Sequence, residues 1–222
     1  MSLFQSLPTS QAGFAFPASL SEKYRPRTLA EFVGLEKPKR ILSKFADAPY
    51  SSAWLFVGPP GVGKTSMALA LAEAIHAELH HIPSQQCQVE AIESVVRQCH
   101  YISAGASLHL VLVDEADKMR KAEQLALLSK LDATAFPPNT IFVFTCNATD
   151  GLEDRFLSRT RQIAFQSHGI AEQTAKLLES IWDKETDGTA TTEKPNFLRI
   201  VRDSQNCVRD SLMRLETELL AS

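Results

Sequence analysis

An eight-residue glycine-rich run, GPPGVGKT at residues 58–65, constrains the fold of this chain more than any other feature. It fills every fixed position of the pattern G-x-x-x-x-G-K-[ST], a loop whose backbone N–H groups curl around phosphate oxygens. An apolar run at residues 53–57 predicts a short buried strand before it, and an Ala- and Leu-rich run at 66–74 predicts a helix after it. The helix N-terminus adds partial positive charge beside the phosphate. The sequence therefore predicts a nucleotide site on an α/β fold, and the matching flanks disfavour a chance glycine-rich turn.

Residues of this loop have expected roles in holding a nucleoside triphosphate. Lys64 is expected to neutralise the β- and γ-phosphates, and the Thr65 hydroxyl to bind Mg²⁺, which holds the same two phosphates in a shell completed by water. ATP and Mg²⁺ are the predicted cofactors. The loop residues expected to contact them are Gly58, Pro59, Pro60, Gly61, Val62, Gly63, Lys64, Thr65 and Ser66.

Length and composition exclude several other classes of protein. The chain has 222 residues, 44% of them hydrophobic, which suffices for one α/β domain with a small appendage. No apolar run approaches the roughly 20 residues that span a bilayer, and the N-terminus lacks the features of a secretory signal, so we expect no membrane association and a cytoplasmic location. Four cysteines without a C-x-x-C pair and six histidines without complementary spacing predict neither a zinc site nor a disulfide framework. The net charge of −3 leaves DNA binding undecided.

Strand-like runs alternate with helical patterns along most of the chain. Such alternation predicts a parallel sheet flanked by helices, with ligands at the carboxyl ends of the strands. Beyond the first strand, the runs lie at residues 80–82, 108–113, 140–145 and 162–165, and an interrupted helical pattern precedes the loop at 29–46. Three helices at 169–184, 197–203 and 207–220, with an exposed loop at 187–196, predict a small C-terminal lid. The expected organisation is an irregular arm at 1–20, a nucleotide-binding α/β domain at 21–166 and a helical lid at 167–222.

Two adjacent carboxylates, Asp114 and Glu115, end the apolar run at residues 110–113. Asp114 is expected to hold Mg²⁺ through water, and Glu115 to polarise the water that attacks the γ-phosphate. Solvated acids at a strand end are the alternative, but the complete phosphate loop upstream favours the catalytic interpretation. An intact Glu115 predicts hydrolysis rather than binding alone.

Two further polar sites follow the next strand. Asn147 can hydrogen-bond both the γ-phosphate and the attacking water, although a strand-end Asx turn is an alternative. Residues 154–161 contain three arginines, more than one helix-to-strand turn ordinarily needs. One of them is predicted to project outward, where a guanidinium can reach the γ-phosphate bound by a neighbouring subunit. Surface salt bridges are the competing explanation.

These separated motifs together resemble AAA+ ATPases, and specifically the small subunits of replication factor C-type sliding-clamp loaders. The run EKYRP at 22–26 and the pair Val33-Gly34 match elements that surround adenine in that family, and DEAD at 114–117 matches its form of the Walker B element. The resemblance runs from about Leu20 to Leu220. It implies that adenine is contacted by Tyr24, Arg25, Pro26, Val33 and Gly34.

The resemblance also assigns roles to three residues outside the loop. Asn147 falls on the first sensor of the family, and Ser158-Arg159-Thr160 falls on its S-R-C sequence, which implies that Arg159 acts on ATP bound by the adjacent protomer. Residues 206–212 resemble G-D-x-R-x-A-L, which implies a second sensor at Arg209. This chain has Thr160 in place of the Cys and lacks the Gly-Asp pair. With Glu115, these are the expected catalytic residues.

Departures from the family limit what the resemblance implies. The chain ends at Ser222, before the helical collar that holds such assemblies together, and it lacks the basic pair expected near residues 126–130. Uncharged residues also occupy 84–88, so we expect weaker and less salt-sensitive DNA binding.

Two functions of different class remain open from the sequence. The first is a homo- or hetero-oligomeric, DNA-stimulated ATPase of DNA replication, clamp-loader-like, with DNA and a sliding clamp or another replication protein as partners. The alternative is a helicase loader or protein-remodelling ATPase that binds a protein through its N-terminal arm. A nucleotide-bound adaptor without turnover is disfavoured because Glu115, Asn147 and Arg159 are all present.

Overall fold

A five-stranded, fully parallel sheet forms the centre of the molecule. The computed structural model describes residues 18–101, 106–167, 169–186 and 194–221. The strands are β1 (Ser52–Val57), β2 (Ala77–Ile82), β3 (Leu108–Val113), β4 (Thr140–Cys146) and β5 (Arg161–Ala164), and they lie in the order β2-β3-β4-β1-β5. The predicted α/β class and parallel sheet are confirmed. β1, which leads into the glycine-rich loop, lies between β4 and β5. The loop therefore lies beside the carboxyl ends of these two strands.

Helices cover both faces of the sheet and form the C-terminal region. They are α1 (Leu20–Lys23), α2 (Glu36–Asp47), α3 (Lys64–Ala74), α4 (Val89–Gln98), α5 (Lys121–Leu131), α6 (Asp154–Ser158), α7 (Ala171–Glu185), α8 (Phe197–Asp203) and α9 (Val208–Ala221). Short 3-10 turns lie at Leu29–Glu31, Ser84–Gln86 and Ala116–Lys118. In the described ranges, no helix has both the length and the apolar character needed to cross a bilayer.

The strands are apolar on both sides because each face of the sheet is covered. Successive side chains of a strand point to opposite faces. In β1, Trp54 and Phe56 therefore pack with α2 and α3, whereas Ala53 and Leu55 pack with α4, α5 and α6. Burial on both faces explains why these strands are near-continuous hydrophobic runs in the sequence.

A third apolar cluster joins the C-terminal helices to the start of the described chain. Leu178, Ile181 and Trp182 of α7 pack with Val201 of α8 and Leu215 of α9. Leu20 of α1 is buried in the same cluster, and its backbone N–H donates to Glu216 Oε1 at 3.2 Å. The last residue of the predicted arm is therefore helical and packs on the lid, while residues 1–17 lie outside the described part. Of the predicted loop at 187–196, residues 187–193 also lie outside it.

Candidate nucleotide-binding and active site

The loop after β1 has the backbone that phosphate binding requires. Gly61 and Gly63 have φ values of +72° and +96°, which side-chain-bearing residues rarely adopt. A Cβ on Gly58 would lie 2.1 Å from the carbonyl oxygen of Phe165, so this position has no room for a side chain. Helix α3 begins at Lys64, directly after the loop, and its N-terminal N–H groups therefore face the loop. The result is a concave surface of N–H donors with the positive end of a helix dipole behind it.

Lys64 lies within this concavity and is buried. Its Nζ donates to the carbonyl oxygens of Gly58 at 2.6 Å and Pro59 at 2.9 Å, and to Asn147 Oδ1 at 3.0 Å. Burial lowers the pKa of the Lys64 ammonium, while the carboxylate of Asp114 acts in the opposite direction. All three acceptors are neutral, so an anion entering the loop gives the ammonium a stronger partner than any of them.

Asp114 is the centre of a hydrogen-bonded group at the ends of β2, β3 and β4. Its Oδ1 accepts from the hydroxyls of Thr65 at 2.8 Å and Thr145 at 2.9 Å. Its Oδ2 lies 2.9 Å from His81 Nε2. The hydroxyl of Thr65 and the carboxylate of Asp114 are hard oxygen ligands of the kind that Mg²⁺ prefers, and the two groups are hydrogen-bonded to each other. The donor set therefore fits Mg²⁺.

Glu115 follows in a left-handed backbone conformation, with φ of +52°. Its N–H donates to Thr145 Oγ1 at 3.1 Å, which ties the strand end to β4. Its carboxylate Oε2 accepts from Lys118 Nζ at 2.6 Å. The side chain is 48% exposed, so it can change partners without leaving water.

Most of the predicted adenine contacts line one cavity of about 430 Å³. Tyr24, Arg25, Pro26 and Val33 lie on its wall, together with Val62 of the loop. The apolar wall is completed by Phe32 and by three lid residues, Leu177, Val208 and Leu212. A mostly apolar cavity of this size suits a flat heterocycle.

Gly34 does not line that cavity, and its structural role is one of packing. Its φ is +64°, and a Cβ there would lie 2.4 Å from Ile170 Cγ2. The glycine thus allows the chain after Val33 to approach the segment that leads into α7.

Two polar cavities continue from the apolar one along the loop. One of about 100 Å³ is lined by Pro60, Lys64, Glu115 and Asn147, and one of about 410 Å³ by Arg25, His81 and Asp114. All three cavities share Ser66 and Arg209. Arg209 is the second residue of α9, so the lid contributes a cation to the site.

The C-terminal helices are held against the start of the described chain beside the apolar cavity. Tyr24 donates its hydroxyl to Glu185 at the end of α7, and the Lys23 ammonium lies 2.8 Å from the same carboxylate. Burial, followed by the contact with Glu185, raises the pKa of Tyr24 to about 12. The Lys23 ammonium and the Tyr24 hydroxyl lower the pKa of Glu185.

A glycine-to-alanine pair tests whether close contact between loop and lid matters for nucleotide binding. A Cβ on Gly61 would lie 2.1 Å from Cys207 Sγ, whereas one on Gly169, with a similar φ of +76°, meets nothing within 4 Å. Both substitutions force alanine into the left-handed region, which costs about 1–2 kcal/mol of folding free energy. We expect only Gly61→Ala to weaken ATP binding as well, by about tenfold or more, in titrations with a fluorescent ATP analogue. Equal affinities in the two variants would contradict this contact.

Arg159 lies apart from the residues described so far. It caps α6, and its Nε and one terminal nitrogen lie 2.8 and 2.7 Å from Asp132 Oδ1. Within the described part of the chain, it lines none of the three cavities. The Arg159 side chain is 34% exposed. The Arg159 side chain therefore does not face the phosphate-binding loop of its own chain.

Several contact residues were not predicted from the sequence. They are His81 and Thr145 beside Asp114, Lys118 beside Glu115, Asp132 beside Arg159, and the cavity residues Phe32, Leu177, Lys184, Val208 and Leu212. Thr145 had a usable signal, since it is a polar residue near the end of an apolar strand and lies two residues before Asn147. The spacing of Val208 and Leu212 puts both on one face of a helix. The others depend on tertiary contacts.

Comparison with known proteins defines the class that these features indicate. Residues 54–167 match the model of the AAA family, ATPases associated with various cellular activities. This segment covers the sheet from β1 to β5 with the loop and both strand-end carboxylates. The chain belongs to the AAA family.

Within that family, the similar curated proteins include clamp-loader subunits. The chain is 36% identical over 152 residues to replication factor C small subunit 2 of Pyrobaculum aerophilum, covering 65% of this chain and 47% of that protein. It is 30% identical over 186 residues to the replication factor C small subunit of Saccharolobus solfataricus, covering 73% of this chain and 56% of that protein. The resemblance predicted from the motifs is confirmed. The chain spans about half the length of these relatives.

Solved structures support the fold independently. The Thermotoga maritima RuvB Holliday junction branch migration motor matches with a TM-score of 0.69 at 18% identity, covering 87% of this chain and 64% of that one. At this identity, the likeness concerns the fold alone.

Proposed function

We propose that this chain binds Mg²⁺-ATP and hydrolyses it at contacts between subunits of an oligomer that acts on DNA, in the manner of a clamp loader. One observation supports this above all. One nucleotide-sized site brings together the glycine-rich loop and the side chains of Asp114, Glu115, Asn147 and Arg209. Arg159 is held on a separate surface.

Nucleotide binding exchanges internal contacts for contacts to phosphate. Lys64 would leave the carbonyl oxygens of Gly58 and Pro59 for the β- and γ-phosphates, while the loop N–H groups hold the remaining oxygens. Arg209 would add a second cation from the lid. The base would enter the apolar cavity between Tyr24 and Val208.

Thr65 and Asp114 would hold the magnesium ion, which neutralises developing phosphate charge when bound. Glu115 would turn from Lys118 towards the attacking water and accept its proton. Asn147 would orient that water. Its contact with Lys64, the residue proposed to bind the γ-phosphate, supports this role.

An arginine from a neighbouring subunit would complete the site. Arg159 presents its guanidinium at the protein surface on a short helix next to β5, with Asp132 fixing two of its nitrogens. Two nitrogens donating to one oxygen of Asp132 orient the planar group without burying it. A finger of this kind makes hydrolysis depend on assembly.

The DNA-directed part of the proposal depends on the similarity to replication factor C small subunits. The alternative, a helicase-loader or protein-remodelling role, was predicted from the arm at residues 1–20, of which residues 1–17 lie outside the described ranges. No contact of the described residues favours it over the first proposal.

Native mass measurement with a non-hydrolysable ATP analogue, with and without primed DNA, tests the proposal. We expect an oligomer in the presence of the analogue and faster ATP hydrolysis when primed DNA is added. Lys64→Ala is the control, since it removes the phosphate partner and should remain unassembled. A wild-type chain that stays monomeric at saturating ATP, alone and with its partner proteins, would contradict hydrolysis between subunits.

A further inference from the structure

A second cluster of ligand-type side chains lies at the opposite end of the sheet from the nucleotide site. It consists of His80 of β2, His109 of β3 and Cys99 at the end of α4. His109 lies five residues before Asp114 along β3, a distance of about 16 Å. His80 lies nearer to Asp114, opposite Val111 and next to His81, but its ring contacts His109. Neither the family motifs nor the proposed reaction uses any of these residues.

The ligand atoms of the three side chains converge. His80 Nε2 lies 3.1 Å from His109 Nδ1, and these atoms and Cys99 Sγ all lie within 4.8 Å of one another. Two nitrogens bound to one tetrahedral zinc at about 2.0–2.1 Å would be about 3.3 Å apart. The histidine pair thus already has about the required spacing, and the sulfur needs to approach by about 1.3 Å at most.

Hydrogen bonding fixes the orientation of His109 towards the centre of the cluster. Its Nε2 lies 2.8 Å from the carbonyl oxygen of Tyr101, which can only accept, so Nε2 carries the proton. In the neutral ring, Nδ1 then presents its lone pair to His80. A zinc-binding histidine is ordinarily held in this way, with its other nitrogen donating to a carbonyl or carboxylate.

A carboxylate beside the same nitrogen makes a cation the natural occupant. Glu78 Oε2 lies 3.3 Å from His109 Nδ1, so a lone pair and a carboxylate oxygen face each other. A hydrogen bond from His80 to His109 would satisfy the nitrogen and leave the carboxylate, which is 40% exposed, to water. A divalent cation between them satisfies both.

We propose that His80, His109, Cys99 and Glu78 form a structural site for Zn²⁺ or a similar divalent transition metal. Two neutral imidazoles and a thiolate are the buried ligands, and the partly exposed Glu78 carboxylate supplies the second negative charge that balances the ion. Binding releases the thiol proton to solvent. The ion would tie the end of α4 to β2 and β3.

The two histidines and the cysteine are buried, and burial affects the two kinds of ligand differently. His80, Cys99 and His109 are only 9%, 2% and 3% exposed. Burial lowers the pKa of His80, which keeps its ring neutral, but it raises the pKa of the Cys99 thiol to about 11, so the ion has to displace the thiol proton when it binds. A mixed sulfur and nitrogen set of this kind suits zinc better than magnesium or calcium.

Cobalt substitution of the full chain, purified without a histidine tag and stripped by a chelator, tests the site. We expect one Co²⁺ per chain, with thiolate-to-cobalt charge-transfer absorption in the near ultraviolet that added Zn²⁺ abolishes. Zinc alone should raise the thermal midpoint of the stripped chain by several degrees, and a chelator should reverse the rise. Absence of the absorption band from the wild-type chain would overturn the proposal.

Variants identify the ligands. Cys99→Ser should remove the charge-transfer band and weaken binding by at least about tenfold, since loss of even an outer partner can have that effect. Cys87→Ser is the matched control, because Cys87 is equally buried at 4% exposure but lies outside the cluster. Glu78→Gln, at a partly exposed position, should weaken binding while the band remains. An unchanged band and affinity in a folded Cys99→Ser chain would refute ligation by Cys99; if that variant does not fold, unchanged affinity in Glu78→Gln would refute the four-ligand site.

Discussion

Replacement of Arg159 by alanine is expected to lower the rate of ATP hydrolysis by the assembled protein by about 10³- to 10⁵-fold. The reason is that a guanidinium delivered from a neighbouring subunit stabilises charge that develops only in the transition state. Binding of ATP to the single chain should be unchanged, since Arg159 contacts Asp132 rather than the loop. Steady-state hydrolysis and nucleotide titration on the same preparation measure the two effects.

The stability of the fold should be almost unaffected by the same substitution. The pair of Arg159 and Asp132 is partly exposed, and such pairs contribute about 0–1 kcal/mol. Arg155→Ala is the matched control, because Arg155 is exposed on the same helix, and its contact to Arg159 runs through its backbone oxygen. We expect its hydrolysis rate to stay within a few-fold of wild type.

Mixing two inactive variants shows on which subunit Arg159 acts. An Arg159→Ala chain keeps a complete loop and Glu115, and a Glu115→Gln chain keeps the arginine. In a mixed oligomer, some interfaces join the intact site of the first to the arginine of the second, so part of the activity should return. If mixing restores nothing although the chains co-assemble, Arg159 does not act between these subunits.

The fold was largely predictable because its strands are buried on both faces. β3 has the predicted bounds, and β1 and β4 each extend one residue beyond the predicted run. β2 begins at Ala77 rather than at His80. It is an edge strand whose first residues are partly exposed, so Glu78 interrupts the apolar pattern that marks the other strands.

The candidate site was predictable only where one stretch of chain builds it. The conformation of the loop at residues 58–65 follows from its own sequence, because two of its glycines adopt positive φ and a helix starts at Lys64. The contact of His81 with Asp114 depends instead on how β2 pairs with β3. The register of this pairing cannot be predicted from either stretch of sequence alone.

The histidine and cysteine cluster was missed for the same reason. Metal motifs in sequences are recognised by short spacings, but His80, Cys99 and His109 lie on two strands and a helix end. Parallel pairing of β2 and β3 sets Glu78 opposite His109, which brings together residues 31 positions apart. Sequence spacing therefore predicted no zinc site where the fold assembles a candidate one.

Replacement of Glu115 by glutamine is expected to slow hydrolysis by about 10²- to 10⁴-fold while ATP binding is retained. The amide keeps the shape of the side chain but cannot accept the proton of the attacking water. The groups proposed to hold the phosphates, Lys64 and Arg209, are untouched, so the variant should bind ATP and remain assembled. Single-turnover hydrolysis measured alongside retained nucleotide distinguishes a loss of chemistry from a loss of binding.

Lys118 provides the control that separates catalysis from structure. Its ammonium donates to Glu115 Oε2 at 2.6 Å, and this contact raises the pKa of Lys118. If Glu115 acts only through this ion pair, Lys118→Gln should slow hydrolysis as much as Glu115→Gln does. If Glu115 is the base, removing Lys118 leaves the carboxylate in place with one donor fewer, and hydrolysis should be no slower than in wild type. Equal losses in the two variants would therefore assign Glu115 a structural role, because loss of the ion pair alone would then account for both.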